Sequence, residues 1–217
     1  MEVGGYLTAN YAGIDVDRKK IKRIGLLFGG RSSEHEVSLS SAVGVLRNID
    51  RRKYEVVPIK ITREGEWQRL SIDQTELSPE KLDGMSGSTL LFQTGQRGGL
   101  VIAGRSGIAP PLEIDIFFPL LHGTFGEDGT VQGLLSLAGF PFVGAGVAAS
   151  AAGMDKVLMK QLFFQNDLPG PDYLWFPRSS WKNHQEKILN GAEKEIGLPC
   201  FIKPANGGSS VGISKAH

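Results

Sequence analysis

The run Phe201-Ile202-Lys203-Pro204-Ala205-Asn206-Gly207-Gly208-Ser209-Ser210-Val211-Gly212 sets a lysine at the end of an apolar strand, directly before a loop of glycines and hydroxyls. Those residue types grip phosphate. The lysine offers a point charge, the glycines let backbone N–H groups approach closely, and the serines add hydroxyl donors. The alternative reading of the loop is a polar hairpin with no ligand. Three other places carry chemistry-bearing types. Glu34 lies in Gly29-Gly30-Arg31-Ser32-Ser33-Glu34-His35-Glu36-Val37-Ser38, where a carboxylate near a helix start is either a cap or an anchor for a positive group. His122 opens the glycine-flanked turn His122-Gly123-Thr124-Phe125-Gly126-Glu127-Asp128-Gly129, as a structural or a ligand-facing histidine. Lys156 follows Met154-Asp155 on a helix, where lysines are ordinarily solvated. Glu127 and Asp128 are adjacent before a helix and read as an N-terminal cap rather than an acid/base pair, and Glu36 reads as helix N-terminal stabilisation.

The elements that must position these residues follow from the hydrophobic pattern. Ile24 to Phe28 is a short apolar run ending in Gly29-Gly30, and a helical stripe at Ala42, Val45, Leu46 and Ile49 comes next. Tyr54 to Ile61 supplies a second strand, so the chain opens with a β-α-β unit of the kind that builds parallel sheets covered by helices. Ligands in such sheets sit beyond the carboxyl ends of the strands, which is where Gly29 to Ser38 falls. Residues 62–111 are less regular and read as hairpin and loop, with Trp67 in a strand. A second strand, polar turn and helix begins at Ile114 to Leu121 and continues through Val131, Leu134, Leu135 and Ala138. Gly144 to Gly146 makes a sharp turn before a small-residue helix from Val147. From Met154 a helix runs to about Asn166, Leu168-Pro169-Gly170-Pro171 breaks it, and a polar helix over Ser179 to Gly191 leads to the strand Cys200 to Lys203. The composition change puts a domain boundary near residue 150, giving a polar extension at 1–20, a first α/β domain at 21–150 and a second unit at 151–217.

Composition narrows the partners. With 217 residues and 41% hydrophobic content the chain can bury a sizeable core, and 24 basic against 23 acidic residues give a net charge of +1. No long basic block offers a surface to nucleic acid or anionic membrane, and no segment approaches the roughly 18 to 20 apolar residues needed to span a bilayer. A small-molecule partner fits. One cysteine, Cys200, excludes an internal disulfide framework and a cysteine-ligated zinc site, and its apolar strand makes it a packed core thiol. Gly144-Ala145-Gly146-Val147-Ala148-Ala149 loosely fits a dinucleotide fingerprint, yet its preceding strand is very short and a packing turn is the better reading.

The four segments Gly29 to Ser38, His122 to Gly129, Met154-Asp155-Lys156 and Lys203 to Gly212, in that order, resemble the D-alanine–D-alanine ligases of the ATP-grasp superfamily. The resemblance covers about Ile21 to the carboxyl terminus. It implies an amino-terminal parallel-sheet (pre-ATP-grasp) domain followed by the first, incomplete part of an ATP-grasp α+β domain. It also implies ATP-dependent joining of two D-alanines through an acyl phosphate for peptidoglycan precursor synthesis in the cytoplasm, with Mg²⁺ and as a homodimer. By the same resemblance Glu34 anchors the ammonium of the first D-alanine and His122 lies near that substrate's carboxylate. Lys156 and Lys203 contact ATP phosphates under the lid residues Gly207, Gly208, Ser209, Ser210 and Gly212, and Ser209 links the lid to Glu34.

The family's metal carboxylates, its transition-state arginine and the ω-loop that selects the second substrate have no counterpart in this sequence, so no metal ligand is assigned. The expectation is the amino-terminal portion of a ligase, inactive alone. A D-alanine–D-lactate or other dipeptide ligase and a non-catalytic D-alanine-binding remnant stay open as alternatives.

Overall fold

A computed structural model of the chain describes residues 21–72, 77–93, 99–104, 107–108 and 111–217. The polar extension read at residues 1–20 lies outside them. The centre is β1 (Lys22–Gly29), flanked on both sides by parallel partners, β2 (Tyr54–Ile61) and β7 (Ile116–Pro119). A strand buried on both faces has no polar side to show, which is why Ile24 to Phe28 is a continuous apolar run. Alternation splits that run between two cores: Leu27 joins Ile59, Phe117, Val131 and Leu135 on one face, while Leu26 and Phe28 join Leu39, Leu46 and Leu82 on the other.

Two helices cover the second face. In α1 (His35–Asn48) the buried stripe is Leu39, Ala42, Val43 and Leu46, rotated by part of a turn from the expected one; Ile49 is already the extended C-cap. The short α2 (Pro79–Gly84) carries Leu82 into the same core. On the first face α3 (Thr130–Leu137) contributes Val131 and Leu135.

Residues 62–111 hold more order than the hairpin and loop expected of them. They add β3 (Trp67–Arg69), β4 (Ser88–Gln93), β5 (Gly99–Gly104) and β6 (Gly107–Ile108), all antiparallel, so the full sheet order is β6-β5-β4-β3-β2-β1-β7. The apolar stretches of β4 and β5 stand among many Gly, Ser and Thr residues, which obscure them in the sequence; ladder bonds to neighbours and the packing of Leu90 and Leu100 hold them in the sheet. Trp67 is in a strand as read, edge-on to Phe92. The strand expected over Ile114 to Leu121 contracts to four residues in β7, after which Leu120 N–H still bonds Leu27 O at 2.8 Å.

The remaining elements are α4 (Val147–Met154), α5 (Lys156–Gln165), α6 (Arg178–Glu195) and the hairpin of β8 (Cys200–Ile202) with β9 (Ser214–Ala216). Cys200 is not a core thiol: it is half-buried in a two-stranded ladder whose next residues, Phe201 and Ile202, are 62% and 56% exposed.

Candidate functional site

The carboxyl ends of β1 and β7 meet in two turns, and every local bond there serves to bring them together. Gly29 and Gly30 leave β1 at φ 87° and 98°, a left-handed region that glycine enters without strain, and Gly30 N–H bonds Ile61 O at 2.7 Å. Ser38, buried in α1, accepts from Gly29 N–H at 2.8 Å and donates to Leu120 O at 2.6 Å, tying the first turn to the chain that leaves β7. Ser32 repeats the device nearer the tip: its hydroxyl donates to His122 O at 2.7 Å and accepts from Glu34 N–H at 3.2 Å.

Glu34 occupies the N-cap position of α1, but its side chain makes no capping bond. Its carboxylate instead accepts a hydrogen bond from Ser209 Oγ, 175 residues away in sequence. The other oxygen, Oε2, sits between two glycines. A Cβ on Gly208 would stand 2.7 Å from it, and a Cβ on Gly123 would overlap it as well. The helix-cap reading of Glu34 thus gives way to a carboxylate held across a gap between two loops. Glu36, by contrast, is a first-turn residue of α1 paired with Arg63; hydrogen bonding to its own backbone N–H and then to the Arg63 guanidinium holds its carboxyl below the usual range.

His122 follows β7 with its carbonyl on Ser32 and its ring Nε2 3.2 Å from Ser41 Oγ on α1. Glu127 and Asp128 fold the turn after it and form no acid/base pair. Glu127 accepts from Gly123 N–H at 2.7 Å, and Asp128 accepts from Phe125 N–H at 2.9 Å and from Thr130 N–H at 3.0 Å. The cap expected of the pair is therefore partial: Gly129 is the N-cap of α3, and only Asp128 reaches the helix, from one residue further back. Burial pushes the Asp128 carboxyl up, and hydrogen bonds from the Phe125 N–H and from the Thr130 hydroxyl and N–H more than reverse this, leaving it below the usual range. A cavity of about 240 Å³ opens beside this turn, lined by Arg31, Ser32, His122 and Phe125 among others, with the Arg31 guanidinium 4.9 Å from the Phe125 ring centroid. A second cavity, of about 200 Å³, shares no lining residue with it.

The loop between β8 and β9 is held from its base. Asp155 caps α5 through the N–H groups of Val157 and Leu158 and accepts from Asn206 Nδ2 at 3.2 Å; those bonds, the one from Leu158 N–H first, hold its carboxyl below the usual range. Lys156 donates its backbone N–H to Ala205 O at 2.9 Å and its ammonium to Gly207 O at 2.7 Å. Gly207 and Gly212 have positive φ, as do Ser209 (46°) and Ser210 (61°), an unusual conformation for serine. Lys203 stands exposed at the end of β8, with no hydrogen-bond partner among the described residues. Of the residues singled out from sequence, Glu34, Gly208 and Ser209 meet in one place and Lys156 with Gly207 in the next. His122 joins the first group through Ser32 and through Gly123, its neighbour. Ser32 and Gly123 lie inside the quoted motifs, which is the signal that could have found them. Ser41 has no such signal.

Among the described residues no three histidine, cysteine, aspartate or glutamate side chains gather to hold a metal ion.

Comparison with known proteins gives one consistent picture. The family model described as D-ala D-ala ligase N-terminus matches residues 23–145, and the one described as D-ala D-ala ligase C-terminus matches residues 162–217. The D-alanine–D-alanine ligase of Bacillus velezensis is 47% identical over 196 residues, 88% of this chain and 54% of the relative. That of Geobacillus thermodenitrificans is 45% identical over 196 residues, 89% of this chain and 53% of the relative. Among solved structures, the VanG D-Ala:D-Ser ligase of Enterococcus faecalis superposes with a TM-score of 0.73 at 33% identity, covering 90% of this chain and 55% of that one. The D-alanine–D-alanine ligase of Coxiella burnetii gives 0.72 at 31%, covering 91% and 55%. The chain spans about half the length of the curated relatives it matches.

Proposed function

The chain belongs to the D-alanine–D-alanine ligase family, and from that premise we propose that it supplies the first D-alanine site and the phosphate-gripping lid of an ATP-dependent ligase that joins two D-alanines for peptidoglycan precursor synthesis. The observation that carries this reading is the bond from Ser209 Oγ to Glu34, because it brings a glycine-serine loop with phosphate-binding chemistry onto a carboxylate suited to an ammonium. The division into a substrate unit at 21–150 and the start of an ATP-grasp unit at 151–217 belongs to the same proposal.

In it, Glu34 accepts a charge-assisted hydrogen bond from the ammonium of the first D-alanine, and His122 supports that substrate's carboxylate electrostatically. ATP would supply the phosphoryl group that turns the carboxylate into an acyl phosphate. Lys156 and Lys203 are the residues that would hold its phosphates, aided by backbone N–H groups of Gly207, Gly208, Ser210 and Gly212. The Ser209 contact closes the loop over the first substrate and excludes water from an intermediate that water would destroy. Phosphoryl transfer of this class uses a divalent cation, so the described residues are expected to bind D-alanine and ATP without turning them over. No described helix is long and apolar enough to cross a membrane.

The test is calorimetric titration of the 217-residue chain with D-alanine. Saturable binding is expected, and loss of one charged hydrogen bond in Glu34→Gln should weaken it roughly tenfold or more; no binding by the folded chain, or equal binding by the variant, would reject the site. A second reading, a ligase with another second substrate, is favoured by the resemblance to the enterococcal structure named for D-Ala:D-Ser ligation. It would still show D-alanine binding at Glu34, and chromatography of the ligation product separates the two.

A further inference from the structure

The ring of His122 meets a hydroxyl that has only one proton to give. Ser41, on α1, donates to Val37 O one helical turn back at 3.0 Å, and its oxygen lies 3.2 Å from His122 Nε2. A serine hydroxyl is one donor and two acceptor sites, and a neutral imidazole carries its proton on one nitrogen only. If the proton is on Nδ1, Ser41 must leave Val37 O in order to donate to Nε2. If it is on Nε2, both bonds stand together. The 3.2 Å separation also falls within the range of N–H···O bonds and is long for a hydroxyl donor. Meanwhile Ser32 holds the backbone of the same residue through His122 O, so ring and main chain are fixed by two separate hydroxyls. Nδ1 has no hydrogen-bond partner among the described residues.

We propose that Ser41 is a positioning residue for His122: it fixes the neutral ring in the tautomer protonated at Nε2 and leaves Nδ1 as the nitrogen facing whatever His122 serves. The consequence for the proposed reaction, on which this part rests, is specific. A ring protonated at Nε2 supports a substrate carboxylate through Nδ1 only after taking up a second proton there, so its help to the substrate is that of an imidazolium rather than of a neutral donor. The sequence carries its own control. Ser40 makes the same backbone bond, to Glu36 O at 3.0 Å, without touching the histidine.

The experiment is a long-range ¹H–¹⁵N correlation spectrum of the histidine rings in the 217-residue chain, without substrate, at about pH 9, where an ordinary imidazole is neutral. His122→Asn identifies the His122 signals among the four histidines of the chain. The expected pattern is a protonated-type shift at Nε2 and an unprotonated-type shift at Nδ1. Losing one ordinary hydrogen bond in Ser41→Ala should move the tautomer ratio by about fivefold, Ser41→Thr should retain it, and Ser40→Ala should leave it untouched. A wild-type ring protonated at Nδ1 overturns the proposal, even should Ser41→Ala fail to fold, and so does a ratio unchanged in a folded Ser41→Ala. Because no substrate is present, the result is independent of whether D-alanine binds: absent binding with the expected tautomer would defeat the function assigned to the site and leave the Ser41 role standing.

Discussion

The Glu34 carboxylate is confined by what its neighbours lack. Gly123 has φ of +70°, and a Cβ there would overlap Oε2. Gly123→Ala should therefore cost about 1–2 kcal/mol in stability from the left-handed backbone alone, read as a lowered urea midpoint, and should also weaken D-alanine binding by displacing the carboxylate. Gly133 is the contrast, since it lies inside α3 with open space around it. Gly133→Ala should raise stability by about 0.5–1 kcal/mol and leave D-alanine binding unchanged; a loss of binding in both variants would mean that the effect is not local to Glu34. At this scale Glu34, His122, Lys156 and Ser209 could be singled out because each lies in one of the four segments that resemble the family. Ser32 and Ser41 were not legible. Their work is to join segments some 81 to 90 residues apart, and a serine on a helix looks the same whether or not a second loop reaches it.

At the level of elements the parallel β1-β2-β7 centre could be read from apolar runs and helical stripes, whereas the antiparallel extension could not, because its apolar stretches are set among Gly, Ser and Thr residues that read as loop. One residue shows the cost of missing it. Lys60 in β2 is only 5% exposed, and its ammonium donates to the carbonyls of Asp83 at 2.7 Å and of Met85 at the end of α2. It caps a helix that the sequence pattern did not reveal. Lys60→Met keeps the stem and removes the cap, leaving carbonyls unpaired; a loss of about 1.5–3 kcal/mol is expected for hydrogen bonds to a charged group, measured as a lower urea midpoint. The turn joining α1 to β2 gives a pH-dependent counterpart. Hydrogen bonds from the Arg52 side chain and then its backbone N–H lower Asp50 to about 2. A carboxyl depressed in the folded state stabilises it above the unfolded value, and that contribution fades as pH falls toward the folded one. The urea midpoint of Asp50→Asn should lie below wild type at about pH 6 and converge with it near pH 2, whereas a constant gap would assign the difference to something other than ionisation.

Across the whole molecule the loop between β8 and β9 is attached at two unequal points. Its base is held from α5 by Asn206 on Asp155 and by Lys156 on Ala205 and Gly207. Its tip reaches the turn between β1 and α1 through Ser209 on Glu34. The matched segments made both ends recognisable in the sequence, but which contact holds the tip depends on how α5 and the hairpin of β8 and β9 present the loop. That presentation also leaves Phe201 and Ile202 exposed where an apolar strand looked like core. Removing the tip contact alone should therefore loosen the tip alone. In Ser209→Ala, amide exchange at Val211, whose N–H bonds Gly208 O at 3.1 Å, should quicken by about fivefold, the loss of one ordinary hydrogen bond. Exchange at Lys156, whose N–H is held by Ala205 O, should stay as it was. Asp155→Ala acts from the other end: it removes the α5 cap, for about 1 kcal/mol, and frees Asn206, so the base should loosen as well. If Ser209→Ala quickened exchange at both ends equally, base and tip would form one rigid loop and Ser209 could not act as a separate latch; quickening confined to the tip makes the Glu34 contact a separate latch, as the proposed role of Glu34 as first-substrate anchor requires.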